Sequence, residues 1–184
     1  MKKLSRNFYN RDTIIVAQEL LGKYFVHVSE YSTQIGMIVE VEAYLGSHDP
    51  AAHSSKGITK RTQIMFGPPG FAYVFLVYGM YYCMNIVTEQ VGQGSAILLR
   101  AVEPIQNIYQ RTNGPGLLCR AMHIDMQCNQ KDLTHEALYV AEVSTVPSPV
   151  IVSKPRIGVA YAGKEWASKL LRFYIKGNPF ISKK

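Results

Sequence analysis

Cysteine is scarce and unpaired in this chain: Cys83, Cys119 and Cys128 stand far apart, with no Cys-x-x-Cys pair and no histidine at ligand spacing. An odd, scattered set excludes a disulfide framework and a structural zinc site, and it suits a reducing cytosol. The basic start Met1-Lys2-Lys3-Leu4-Ser5-Arg6-Asn7 lacks an apolar core behind it, so no signal peptide is expected. Residues 71–88 lack any charge, and that length could cross a bilayer as a helix. The run is led by Gly67-Pro68-Pro69-Gly70, broken by Gly79 and rich in tyrosine and β-branched residues. Two strands with a tight connection explain it better than a membrane span. Acids are nearly missing after Glu142. There Glu165 stands alone among Lys154, Arg156, Lys164, Lys169, Arg172, Lys176, Lys183 and Lys184, with Trp166, Phe173, Tyr174 and Phe180 interleaved. That pattern suits a phosphate backbone, the alternative being a solvated cationic face. No repeat, low-complexity segment or domain boundary stands out, so residues 1–184 are expected to form a single domain.

What is present describes an ordinary globular protein, with 47% apolar and 18% charged residues. Its net charge of +7 suggests an anionic partner, nucleic acid before a membrane surface. The most informative stretch is Ile38-Val39-Glu40-Val41-Glu42-Ala43-Tyr44-Leu45-Gly46. As a strand it places Val39, Val41 and Ala43 on one face and Glu40, Glu42 and Tyr44 on the other. Two acids in a β-branched run mark either a solvated strand face or the wall of a site.

In order along the chain, residues 8–22 read as a first helix, capped by Asn10 or Asp12, with Ile14, Ala17 and Leu21 on one face and Gly22 at its end. Residues 24–28 read as a strand pairing with the Glu40/Glu42 strand. Residues 47–61 form a long polar loop of the kind that carries function or stays disordered. His48, Asp49 and His53 lie in it without a further ligand nearby, so no metal site is expected. Strands fit residues 71–77 and 82–88, leaving Tyr78-Gly79-Met80-Tyr81 as an aromatic tip that either inserts into a partner or folds back onto the core. Residues 96–102 read as a buried strand whose Arg100 needs an acid, with Glu40 and Glu42 the candidates, in a salt bridge or a catalytic pair. Pro104 is placed to open a short helix through Tyr109, and a second helix fits residues 117–122. Residues 123–153 read as loop-rich with short strands near residues 138–140 and 150–152, and residues 171–175 as a closing strand.

Taken together, Glu42-Ala43-Tyr44-Leu45-Gly46, Ala51-Ala52-His53-Ser54, Gly70-x-x-Tyr73-Val74, Tyr78-Gly79-Met80, Asn85, Leu98-Leu99-Arg100-Ala101 and Leu171-Arg172-Phe173-Tyr174 resemble the alkyladenine (3-methyladenine) DNA glycosylase family, the mammalian-type N-methylpurine glycosylases. The resemblance spans nearly the whole chain, and its compact length is similar to that of bacterial members. It implies an α+β domain with a curved, mostly antiparallel, partly open barrel-like sheet flanked by helices, and a protruding hairpin that enters DNA. The implied activity is hydrolysis of the N-glycosidic bond of a damaged purine extruded from double-stranded DNA, by a monomer without cofactor, metal or membrane. In that picture Glu42 is the general base for the attacking water and Arg100 helps hold that water and keep Glu42 ionised. The backbone carbonyl of Ile157 completes the water site. Tyr44 and His53 sandwich the base, groups near Ala51 and His53 read its edge, and Asn85 crowds guanine's exocyclic amine. Tyr78 is the wedge that fills the gap in the stack. The implied location is with the DNA, in the bacterial cytoplasm, or in the nucleus of a eukaryote.

Two positions depart from the family pattern. Phe75 replaces a frequent second pocket tyrosine, keeping a stacking face while losing a hydroxyl, and Leu170 stands where relatives often carry proline. Cationic alkylpurines, as better leaving groups that stack on electron-rich rings, are the expected substrates. The matched motifs include no catalytic lysine, so base removal without strand cleavage is expected. Rival readings are a non-catalytic protein that binds damaged or distorted DNA, and a carbohydrate hydrolase using Glu40 and Glu42. The second is disfavoured because alternate residues on one strand lie about 6.6 Å apart along one edge rather than on opposite sides of a sugar.

Overall fold

The computed structural model describes residues 1–143 and 149–184. The part of the loop-rich 123–153 region that spans residues 144–148 lies outside them. The elements in order are helices α1 (Arg6–Tyr9) and α2 (Thr13–Leu20), strands β1 (Tyr24–Val28), β2 (Thr33–Tyr44), β3 (Ala72–Val77), β4 (Tyr81–Thr88) and β5 (Ser95–Gln106), helix α3 (Pro115–Ala121), strands β6 (Leu138–Ala141) and β7 (Ile151–Lys154), helix α4 (Gly163–Ser168) and strand β8 (Arg172–Ile175). The expected first helix is split. Asp12 accepts from the N–H groups of Ile14 and Ile15 and starts a new helix there. Its buried residues are Thr13, Val16, Ala17 and Leu20, with Leu21 buried just past its end and Ile14 packed against the core.

All eight strands form one antiparallel, unclosed sheet of order β3-β4-β5-β2-β1-β6, with β8 pairing with both β2 and β7. The twelve-residue β2 is its spine. Along one edge it meets β5, and along the other it meets first β1, from Thr33 to Met37, and then β8, from Glu40 to Glu42. The main apolar core gathers on one side of this sheet, where α2 and α3 contribute Leu20, Leu118 and Cys119 against Ile38, Val41, Ala43, Ile97 and Leu99.

Strict alternation fails in the middle of β2. The register runs Ile38 to Val102, Glu40 to Ala101 and Val41 to Leu99, so Val39 on β2 and Arg100 on β5 have no partner. A bulge on each strand turns consecutive residues to one side. Val39 therefore packs with Ala101, Tyr174 and Ile181 on the side opposite Val41 and Ala43, contrary to the simple strand reading. The expected helix at Pro104 is also absent, because β5 continues to Gln106 and Pro104 sits opposite Gly36 next to a register shift. A proline is tolerated at such an irregularity, and a Cβ on Gly36 would meet Val102 Cγ2 at 2.6 Å.

Candidate active site

The doubled bulge puts Glu40, Glu42 and Tyr44 of β2 on the same side as Arg100 of β5. Across the sheet, the pairings Tyr73 to Asn85, Asn85 to Leu98, Leu98 to Glu42 and Glu42 to Arg172 form one continuous rung through β3, β4, β5, β2 and β8. Residues distant in sequence are thereby delivered to one row. A cleft of about 500 Å³ opens over it, lined by Tyr44, Ala51, His53, Tyr73, Phe75, Asn85, Leu98, Arg100 and Ile157, with Tyr78 at its rim. This size and mixed lining suit a small organic group.

Both acids are fully buried, and Arg100 spans them. Its Nε donates to Glu40 Oε1 at 3.2 Å, its Nη1 lies 3.3 Å from Glu42 Oε1, and its Nη2 donates to Ser182 Oγ at 3.3 Å. Glu40 also accepts from Arg172 Nη1 at 3.0 Å, from Ser182 Oγ at 2.9 Å and from the Ser182 N–H. Arg172 in turn donates to the carbonyls of Pro155 and Lys183, so Glu40 ties together β2, β5, β8, the loop before Ile157 and the C-terminal segment.

Glu42 is held more lightly. Its Oε1 accepts the Ile157 N–H at 2.8 Å and its Oε2 the Tyr44 hydroxyl at 3.0 Å. All three of its partners, Arg100, Tyr44 and Ile157, line the cleft. The Ile157 contact to Glu42 is made by its amide N–H. Burial pushes the Glu42 carboxyl above its ordinary 4.5, while Arg100, the Ile157 N–H and the Tyr44 hydroxyl pull it down and Glu40 adds to the rise. Arg100 thus opposes the rise without cancelling it.

Residues 47–61, read from sequence as a long polar loop, are ordered by short 3-10 turns at Gly46–His48, His53–Lys56 and Gln63–Phe66 and by one buried ion pair. Arg156 and Asp49 have fully buried side chains and join through both guanidinium Nη atoms. Asp49 also accepts the N–H groups of Leu45 and Ala51, and Arg156 donates to the Ala43 carbonyl, so the pair fixes the end of β2 and Ala51 at the cleft. The Arg156 guanidinium carbon lies 4.6 Å from the Tyr44 ring centroid. Tyr161 donates to the Ala51 carbonyl at 3.1 Å. Neither Asp49, Arg156 nor Tyr161 was singled out as a site residue from sequence. An aspartate five residues past Tyr44 and an arginine beside Ile157 are the only signals that could have found the pair.

On the opposite wall, His53 Nδ1 and the Tyr73 hydroxyl are 2.8 Å apart, and the His53 ring centroid is 4.6 Å from that of Phe75. Burial lowers His53 to about 4, helped by Arg61 and Lys56, so its ring is neutral near neutral pH. Asn85 donates to the Tyr73 carbonyl at 3.1 Å. At the hairpin tip Tyr78 has φ 51° and Gly79 φ 69°, both left-handed as in a primed hairpin turn. Tyr78 is 88% exposed and Met80 68%, so the tip does not fold back onto the core.

The cationic C-terminal segment is corrected by the structure. Arg156 and Arg172 are buried in ion pairs, and Phe173 and Tyr174 are buried with them, so they form no phosphate-facing surface. Lys154, Lys164, Lys176, Lys183 and Lys184 stay exposed. Among the described residues no helix is long and apolar enough to cross a membrane.

The family described as Methylpurine-DNA glycosylase matches residues 7–179. A protein of Legionella pneumophila (strain Corby), provisionally named a 3-methyladenine DNA glycosylase, is 64% identical over the full length of both chains. Provisional 3-methyladenine DNA glycosylases of Desulfitobacterium hafniense (strain Y51) and Myxococcus xanthus (strain DK1622) are 45% and 43% identical, each covering 100% of this chain and respectively 100% and 95% of the relative. These matches show that the chain belongs to the methylpurine-DNA glycosylase family, and so is a DNA glycosylase, a hydrolase acting on N-glycosyl bonds.

Proposed function

We propose that the cleft receives a damaged purine turned out of duplex DNA and that Glu42 activates the water that releases it. The observation that carries this reading is a fully buried carboxylate whose three partners all line the cleft. The C1′–N bond breaks with its electron pair leaving on the base, the water oxygen bonds to C1′, and the water proton passes to Glu42 and on to the departing base. Arg100, anchored on Glu40, holds Glu42 in place and stands beside the water. Tyr44 and His53 flank the base, Ala51 and Asn85 face its edge, and Phe75 closes the wall. Tyr78, exposed at the hairpin tip, enters the stack from the minor groove and offsets an unstacking cost of about a few kcal/mol.

No lysine lines the cleft among the described residues, so nothing there supplies the amine for a covalent sugar adduct. The product is an abasic site with an intact strand, and the chain acts as a monomer. A protein that only binds distorted DNA would gain nothing from a buried acid held by the residues that line a DNA-facing cleft, where it repels phosphate. Base release from duplexes carrying 3-methyladenine, 7-methylguanine, hypoxanthine or etheno-adenine tests the reading. Release of at least one, without strand cleavage in the absence of heat or alkali, is expected. Tight binding with no release from any of them contradicts it.

A further inference from the structure

Two guanidinium groups stand against the aromatic walls of the cleft, Arg156 over Tyr44 at 4.6 Å and Arg61 over Phe75 at 4.7 Å. Their electrostatic standing differs. Arg156 is neutralised by the buried Asp49, whereas Arg61 has no acidic partner within ion-pair distance among the described residues. Arg61 is exposed, yet it lines the cleft. Its backbone is pinned by the adjacent Thr62, which exchanges bonds with Thr59 and donates to the Gly57 carbonyl at 2.8 Å. The charge thus sits over Phe75, the ring that abuts His53, and its field contributes to keeping His53 neutral.

A π face already covered by a cation is a poor platform for a second one. We propose that Arg61 sets the charge selectivity of the cleft, its uncompensated guanidinium favouring purine lesions that are neutral when bound over those that are positively charged. This rests on the base-releasing reading above. It also revises the expectation that electron-rich walls draw in cationic alkylpurines. As the C1′–N bond breaks, the electron pair moves onto the base. A neutral purine then develops negative charge, which Arg61 stabilises. A cationic purine arrives positive, is repelled on entry, and loses its charge as it departs. One residue therefore acts on the rate for neutral lesions and on the capture of cationic ones.

Single-turnover base release, measured as maximal rate and half-saturating enzyme concentration, separates the two effects. The comparison uses wild type, Arg61→Gln and Arg61→Lys on hypoxanthine and 7-methylguanine duplexes. For Arg61→Gln the maximal rate on hypoxanthine should fall roughly three- to tenfold, and half-saturation on 7-methylguanine should occur at a roughly three- to tenfold lower concentration without a faster rate. Arg61→Lys should restore wild-type values, and 0.5 M salt, about a 4–5 Å screening length, should compress the difference. An equal loss on both duplexes identifies Arg61 as a DNA-backbone contact or a packing residue and overturns the proposal, as does an unchanged ratio. Wild type releasing neither base overturns the proposal, and the parent reading falls with it only if 3-methyladenine and etheno-adenine are not released either, a result that needs no variant comparison.

Discussion

Glu40 and Glu42 sit two residues apart on one strand, share Arg100 and are equally buried, yet their surroundings assign them opposite tasks. Glu40 is sealed. Two arginines and both donors of Ser182 converge on it, and of these partners only Arg100 lines the cleft. Glu42 is held by one backbone N–H, one hydroxyl and one guanidinium, all of which line the cleft. A closed donor set makes an acid a structural anchor. A partial one, beside an opening, leaves a carboxylate able to take a proton. Arg100 couples the two, so the rigidity of the Glu40 cluster is passed to the position of Glu42.

Breaking the anchor should have the largest effect on the fold. Glu40→Ala leaves Arg172 buried without its acid and Arg100 with Glu42 alone, which should cost about 3–5 kcal/mol of unfolding free energy by denaturant titration. Glu42→Gln keeps the shape at the cleft and should reduce base release roughly 10²–10⁴-fold, with affinity for lesion DNA and unfolding free energy close to wild type. A variant of Glu42 that melts far below wild type would erase the distinction between the acids. At the rim, Tyr78→Ser should weaken lesion capture roughly tenfold at subsaturating enzyme while leaving stability unchanged, since the residue is 88% exposed.

Smaller shifts in pH dependence sharpen the contrast. Glu42 must be ionised to act, and its burial raises it above 4.5, so activity should fall on acidification through a value higher than that of an ordinary glutamate. Tyr44→Phe removes a hydroxyl donor that lowers Glu42, and should move this acid limb to still higher pH. His53, lowered to about 4, should add no limb near neutrality. A profile whose acid limb is untouched by Tyr44→Phe would show that the limb belongs to another group.

Some of the proposed site residues stand out in the chain itself, because the acids, Tyr44 and the aromatic tip interrupt local patterns in ways that demand a reason, whereas Ala51, His53 and Asn85 are picked out only by the family resemblance. Strand propensity disfavours Glu40 and Glu42, and a solvent-exposed tip rarely carries Tyr78. The misplaced features all depend on partners far away in sequence. Val39 looked like a companion of Val41 because a bulge cannot be seen without the facing strand. Pro104 looked like a helix start because Gly36, which receives it, lies in another strand. Arg156 and Arg172 looked like part of a DNA-facing surface because their acids lie 107 and 132 residues away. Arg61 drew no notice, since its meaning comes only from the ring of Phe75 beneath it.

The division of labour between the acids is tested most directly by measuring base release and thermal unfolding side by side for Glu42→Gln and Glu40→Gln on one lesion duplex. Glu42→Gln should unfold with wild type and release base roughly 10²–10⁴-fold more slowly, whereas Glu40→Gln should unfold at lower temperature and release base faster than Glu42→Gln. Base release by Glu42→Gln at the wild-type rate would contradict the assignment.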